Sequence, residues 1–266
     1  MKGLLSESPY WEEMYRERRW AKYLPDQRKY RGHYEFDRIF RTVLQPDTSK
    51  KLLELGAGGS IWLPYFAQEF GFEVYGIDYT EKGCELAERN LALAGVKGEI
   101  RCEDFFKAIN YWRGFFDVVV SFGVVEHFNH PVEIIRLMKN LLKRDGMSIT
   151  VVPNTAGSLF RLQRFIDKDV YEIHKVFSLK DLSSYHTEIN MQVVVERYMQ
   201  FMDLITLNYQ RIFKGRSHKW VAQGITGLNL PILYLQKAFR FFPQSKRWCS
   251  FMVVAAKRKT EPKNGR

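Results

Sequence analysis

Residues Leu52-Leu53-Glu54-Leu55-Gly56-Ala57-Gly58-Gly59-Ser60 run from an apolar strand pattern straight into a glycine-rich turn that opens a helix. Such a turn brings bare backbone close to whatever lies beyond the strand end. The following sequence keeps the same grain: short apolar runs at Lys51–Leu55, Phe72–Ile77, Gly98–Cys102, Phe116–Val120 and Met147–Val152 alternate with helical patterns at Ile61–Phe70, Glu81–Ala94 and Pro131–Leu142. Strands separated by helices of this length pair in parallel and are covered on both faces. A dinucleotide turn, G-x-G-x-x-G, requires a third glycine where Ile61 stands, and the Gly-Lys-Ser/Thr of a phosphate loop is missing. Dinucleotides and nucleoside triphosphates are therefore disfavoured.

Three acidic positions follow in order. Glu54 precedes the first glycine by two residues, Asp78 ends the next strand in Tyr75-Gly76-Ile77-Asp78, and Glu103-Asp104-Phe105 follows the third. A carboxylate about 20 residues beyond the glycine turn, at a strand's C-terminal end, accepts from both hydroxyls of a ribose. Asp104 offers an acceptor for an amine and Phe105 a flat surface for a base. Singly, each reads as a strand-end cap or an ordinary turn; in this order and spacing they predict one nucleoside-binding crevice.

Glu54-Leu55-Gly56-Ala57-Gly58, Gly76-Ile77-Asp78, Glu103-Asp104-Phe105, Phe116-Asp117-Val118-Val119-Val120-Ser121-Phe122-Gly123-Val124-Val125-Glu126-His127-Phe128 and Leu141-Leu142-Lys143-Arg144-Asp145-Gly146 together resemble the class I S-adenosylmethionine-dependent methyltransferases, in the branch of small-molecule and quinone-biosynthesis-like enzymes. The likeness covers roughly residues 50 to 153, and more weakly continues to Tyr198. It implies an α/β fold with a Rossmann-like, mostly parallel seven-stranded sheet, helices on both faces, and an antiparallel last strand. Met191–Tyr198 and Ser250–Ala256 fit the last two strands. It also implies S-adenosylmethionine as cofactor, with Gly56, Ala57 and Gly58 beneath it, Glu54 at the loop, Asp78 and Tyr79 at the ribose, Asp104 and Phe105 at the adenine, and Ser121 near the methionine portion. Ser60 stands where many members carry a third glycine, and a small residue still fits.

The expected organisation is an N-terminal helical lid segment over residues 1–50, interrupted at Pro25, then a core of residues 51–199 plus 249–257. A basic helical insertion or cap occupies 200–248, and 258–266 form a disordered tail. Methyl transfer from a sulfonium is an in-line displacement, so positioning and water exclusion supply much of the catalysis. A hydroxyl nucleophile also benefits from a base. His127, after the fourth strand, and His174, in Asp169-Val170-Tyr171-Glu172-Ile173-His174, are the candidates. Both have the alternative of a structural role, His130 reads as the start of the next helix, and Glu126 could orient His127 or a substrate amine but reads first as a solvated loop carboxylate, with no catalytic role assigned. No histidine pair has ligand spacing, so no metal is implied. Asn/Asp-Pro-Pro-aromatic is absent after the fourth strand, which disfavours N-methylation of nucleic-acid bases. O-methylation of a small molecule leads, and C- or N-methylation of a small or lipid-like acceptor is the alternative. A non-catalytic cofactor-binding protein, or an RNA- or membrane-associated one retaining the fold, is the alternative of another class.

The 266 residues carry a net charge of +11, divided as +3 over 1–50, −3 over 51–200 and +11 over 201–266. The final segment mixes its Lys and Arg with Trp220, Leu230, Ile232, Leu233, Leu235, Phe239, Phe241, Phe242 and Trp248, so an anionic or lipid-like partner, met at a membrane surface through residues 211–248, is favoured over nucleic acid. Cys84, Cys102 and Cys249 form no C-x-x-C pair, the N-terminus lacks an apolar signal core, and Val221–Phe242 is too interrupted to span a bilayer. A cytoplasmic enzyme, in peripheral contact with a membrane, is the expectation.

Overall fold

The computed structural model describes residues 3–6, 8–17, 31–209, 212–213, 215–239 and 243–259. Two helices, α1 (Ser8–Glu17) and α2 (Arg31–Val43), precede an alternating stretch: β1 (Lys51–Leu55), α3 (Trp62–Phe70), β2 (Glu73–Asp78), α4 (Glu81–Leu93), β3 (Gly98–Cys102), α5 (Ile109–Trp112), β4 (Phe116–Phe122), α6 (Pro131–Leu141) and β5 (Leu142–Pro153). Three helices follow, α7 (Ser158–Ile166), α8 (Lys168–Glu172) and α9 (Leu179–Glu188), then β6 (Met191–Phe201), α10 (Gly215–Phe239) and β7 (Cys249–Arg258). The expected break at Pro25 lies outside the described residues.

The strands form one sheet in the order β3-β2-β1-β4-β5-β7-β6. The first five pair in parallel, and β7 lies antiparallel between β5 and β6. The strand order reverses between β1 and β4. There the loops leaving the two strands diverge to opposite faces and open a crevice at their carboxyl ends.

Alternation along the strands divides the core in two. On β4, Val118 and Val120 join Leu52, Phe66 and Phe40 under α2 and α3, whereas Val119 joins Leu53, Leu55, Ile135 and Leu141 under α6. All are 3% exposed or less. Helix α6 starts as its sequence predicts, with His130 at the N-cap and Pro131 in the first turn, where a missing N–H costs nothing. β7 runs past its expected end: Lys257 pairs with Met147 and Gln192, and Arg258 donates to the carbonyls of Lys139 and Leu142. The assignment of Arg258 to a disordered tail is thereby corrected, because these partners on α6, β5 and β6 hold it in the sheet.

Candidate functional site

The crevice at the switch point is a cavity of about 1040 Å³. Glu54, Gly56, Gly58, Asp78, Tyr79, Phe105, His127 and His174, all named from the sequence, line it together. The loop after β1 is shaped by its glycines. Gly56 has φ +71°, and a Cβ there would lie 2.5 Å from Val124 Cγ2. A Cβ on Gly58 would lie 2.3 Å from the Tyr15 hydroxyl and 2.8 Å from Asp78 Oδ2. The Val124 and Tyr15 side chains thus lie directly against the bare backbone of these two glycines, with the Asp78 carboxylate beside Gly58.

Asp78 is 4% exposed and fixed by three donors: the Gly58 N–H to Oδ2 at 2.9 Å, and the Thr80 N–H and hydroxyl to Oδ1 at 2.9 and 2.5 Å. Burial raises its pKa, and those bonds oppose the shift. The neighbouring Tyr79 hydroxyl is buried without a hydrogen-bond partner among the described residues. Because the Thr80 hydroxyl is turned to Asp78, the first turn of α4 takes its cap from elsewhere. The Glu12 carboxylate of α1 accepts from the N–H groups of Glu81 and Lys82 at 2.8 and 3.3 Å. That contact seats α1 across the crevice, with Trp11 and Tyr15 lining it.

Three expected contacts are absent from the cavity wall. Ser121 is fully buried on the opposite face of β4, its hydroxyl 3.8 Å from Met138 Sδ, because alternation gives the cavity side to Phe122. Ala57 is buried over β2, where a Cβ on Gly76 would come within 2.8 Å of its own Cβ. Asp104 accepts from the Phe106 N–H at 3.0 Å and caps the 3-10 turn after β3, while Phe105 faces inward.

Beside the glycine loop, the turn after β4 meets the segment after α8. His127 Nδ1 lies 2.9 Å from the Ile173 carbonyl, and His174 Nδ1 lies 2.6 Å from the Val170 carbonyl. A carbonyl only accepts, so both Nδ1 atoms carry the proton and both Nε2 atoms present a bare lone pair. The two rings are 4.4 Å apart. Burial holds both neutral: His127 well below its ordinary pKa, helped by His174, and His174 down to about 4.

Glu126 corrects the sequence reading of a solvated carboxylate. It is fully buried, neither carboxylate oxygen has a hydrogen-bond partner among the described residues, and burial pushes its pKa up to about 8. Its Oε1 lies 3.9 Å from His127 Nε2. Donor atoms of Glu126, His127 and His174 all fall within 4.8 Å of one another, an arrangement that could hold a divalent cation. Spacing along the chain gave no sign of this, because the third member arrives from a different element. The far wall supplies further polar groups that sequence reasoning missed: Asp203, bonded to Asn229 at 2.9 Å, and Gln163, whose amide bonds both backbone groups of Asn208.

Comparison with known proteins agrees with this fold. A methyltransferase-domain family model matches residues 10–196. A ubiquinone biosynthesis O-methyltransferase of Neisseria meningitidis serogroup C is 29% identical over 164 residues, covering 57% of this chain and 68% of the relative. Its counterpart from serogroup A is 36% identical over 102 residues, covering 37% of this chain and only 42% of the relative. Among solved structures, a SAM-dependent methyltransferase from Archaeoglobus fulgidus aligns with a TM-score of 0.55 at 18% identity, over 87% of this chain and 97% of that one. Fold and site define a class I S-adenosylmethionine-dependent methyltransferase. The chain belongs to the methyltransferase-domain family.

Proposed function

We propose that this enzyme methylates a hydroxyl group of a small aromatic acceptor, of the kind that its O-methyltransferase relatives suggest. The observation that carries this reading is the bare Nε2 of His127 on the cavity wall, held in one tautomer by Ile173. S-adenosylmethionine supplies a methyl group on a positively charged sulfur. In this reading Asp78 and Tyr79 receive the ribose, Phe105 the adenine, and Glu54 the amino-acid end, while Gly56 and Gly58 give the backbone clearance. The fit rests on the Asp78 carboxylate and on the buried Tyr79 hydroxyl, which has no hydrogen-bond partner among the described residues, both on the cavity wall. Asp104, Ala57 and Ser121, none of which lines the cavity, support the loops rather than touch the ligand.

His127 Nε2 would take the proton of the acceptor hydroxyl, whose oxygen would receive the methyl group as the bond from that carbon to the sulfonium sulfur breaks. Glu126, when ionised, stabilises the resulting imidazolium, and His174 packs the base in position. Exclusion of water by Trp11, Phe122 and Phe128 keeps the reacting groups desolvated. Replacing His127 by Ala lowers kcat by about 10² with cofactor affinity unchanged. Wild-type turnover in both His127→Ala and His174→Ala overturns the assigned base.

Residues 200–248 are proposed as a cap over the acceptor end, with α10 meeting a lipid-like partner. No described helix is long and apolar enough to cross a membrane. Yet α10 is amphipathic in the reverse sense: Asn229 and Gln236 are buried, bonded to Asp203 and to the Phe201 carbonyl, while Trp220, Leu228, Tyr234, Leu235 and Phe239 are exposed. A helix that turns amides inward and large apolar groups outward fits an interfacial position. Thr226 and Leu230 of the same helix line the cavity, giving an apolar acceptor a short path inward. The side chains of Arg211, Lys214, Arg216, Lys237 and Arg240 lie outside the described ones.

A further inference from the structure

Ser60 interrupts the run of small, side-chain-free positions in the glycine loop, and its hydroxyl is fully committed. The residue is 6% exposed. Its oxygen accepts from the N–H groups of Trp62 and Leu63, both at 3.1 Å, and its proton goes to Glu54 Oε2 at 2.6 Å. A hydroxyl has one proton and two lone pairs. Both lone pairs are taken by the first turn of α3, so the only remaining direction for the proton is the Glu54 carboxylate. Helix capping and carboxylate orientation are thus locked together in one atom.

Glu54 is itself 3% exposed, lies at the end of β1 and lines the cavity. The strands beside it contribute no cation: its register partners are Gly76 on β2 and Val120 on β4. Asp78, at the end of β2, adds a second negative charge that opposes ionisation, and His33 of α2, on the same cavity, is kept neutral by burial, its pKa near 4. A buried carboxylate with an acidic neighbour favours a cationic ligand.

We propose that Ser60 is a positioning residue for the cofactor's cationic end, holding the Glu54 carboxylate in the ionised, cavity-facing state that receives the α-ammonium of the amino-acid portion. This rests on the cofactor reading above. The Ser60 bond lowers a Glu54 pKa that burial has raised to about 8. Recognition of the ammonium therefore strengthens as pH rises toward that value, and removing the hydroxyl shifts the rise to higher pH.

The test compares S-adenosylhomocysteine, which keeps the ammonium, with methylthioadenosine, which lacks the whole amino-acid end. Calorimetry on Ser60→Ala is expected to show about tenfold or greater weakening for the first and no change for the second, since a hydrogen bond to a charged group is at stake. Ser60→Thr restores the hydroxyl and the affinity. In a Glu54→Gln background, Ser60→Ala has no further effect on the ratio of the two affinities. Equal weakening of both nucleosides reduces Ser60 to a helix cap and overturns the proposal, as does an unchanged affinity for S-adenosylhomocysteine. A wild-type chain that binds neither nucleoside overturns the cofactor reading itself.

Discussion

Asp78→Asn is the substitution whose consequences the structure specifies most closely. It preserves shape and removes the charge. Oδ1 meets two Thr80 donors and Oδ2 meets the Gly58 N–H. An asparagine keeps its oxygen toward the two donors, so its NH₂ group turns against the Gly58 N–H and leaves that donor unsatisfied. Orphaning a buried donor costs about 1–3 kcal/mol. Burial already disfavours the charged form of Asp78, so part of that cost returns when the charge is removed. A net loss of about 1–2 kcal/mol corresponds to a fall of about 2–8 °C in Tm. Binding suffers separately. Losing charge-assisted hydrogen bonds to a ribose, at about 1.5–3 kcal/mol for bonds to a charged group, weakens S-adenosylhomocysteine about tenfold to a hundredfold. Calorimetry below the melting transition reads the affinity, and a thermal scan of the free protein reads the loop. Unchanged affinity in a variant with the lowered Tm refutes the reasoning, because the carboxylate would then serve only Gly58 and Thr80.

The buried carboxyl of Glu126 makes stability pH-dependent. With a folded pKa near 8, above the ordinary carboxyl value, its contribution is full below about pH 4.5 and is lost as pH rises through 8. Glu126→Gln is expected to flatten the fall in Tm between about pH 4.5 and pH 8, and an unchanged profile contradicts the assignment. The same variant, and His174→Ala, should abolish any rise in Tm that wild type shows with Mn²⁺ or Zn²⁺, as differential scanning fluorimetry would record. Vesicles test α10: anionic liposomes are expected to sediment wild type more weakly as salt shortens the Debye length to about 8 Å, and Trp220→Ser with Phe239→Ser to release it. Absence of sedimentation at low salt returns α10 to a plain cap over the cavity.

The sheet was legible because its signals are local. Lys51–Leu55 and Gly98–Cys102 are strands as expected, since the apolar runs end at turn residues on both sides. The glycine loop with Asp78 was legible for a related reason: the acid follows the loop at one βα unit's distance. Ser121 misled because strand position does not specify face, and one residue along β4 separates the cavity from α6. Glu126 misled because exposure of a loop residue depends on what covers the loop, here Trp11 from α1 and His174 from beyond β5. The seat of α1 was equally hidden, since Glu12 caps a helix 69 residues away. Convergence of distant elements writes no period into a sequence.

Trideuteromethyl-labelled S-adenosylmethionine, incubated with the full chain and a set of phenols bearing apolar tails of increasing length, tests the central claim most directly. Mass spectrometry with NMR of the product locates the label. Wild type is expected to leave a labelled methyl on oxygen, strongly reduced in His127→Ala. Label found on carbon or nitrogen, or equal O-methylation by the His127 variant, contradicts it.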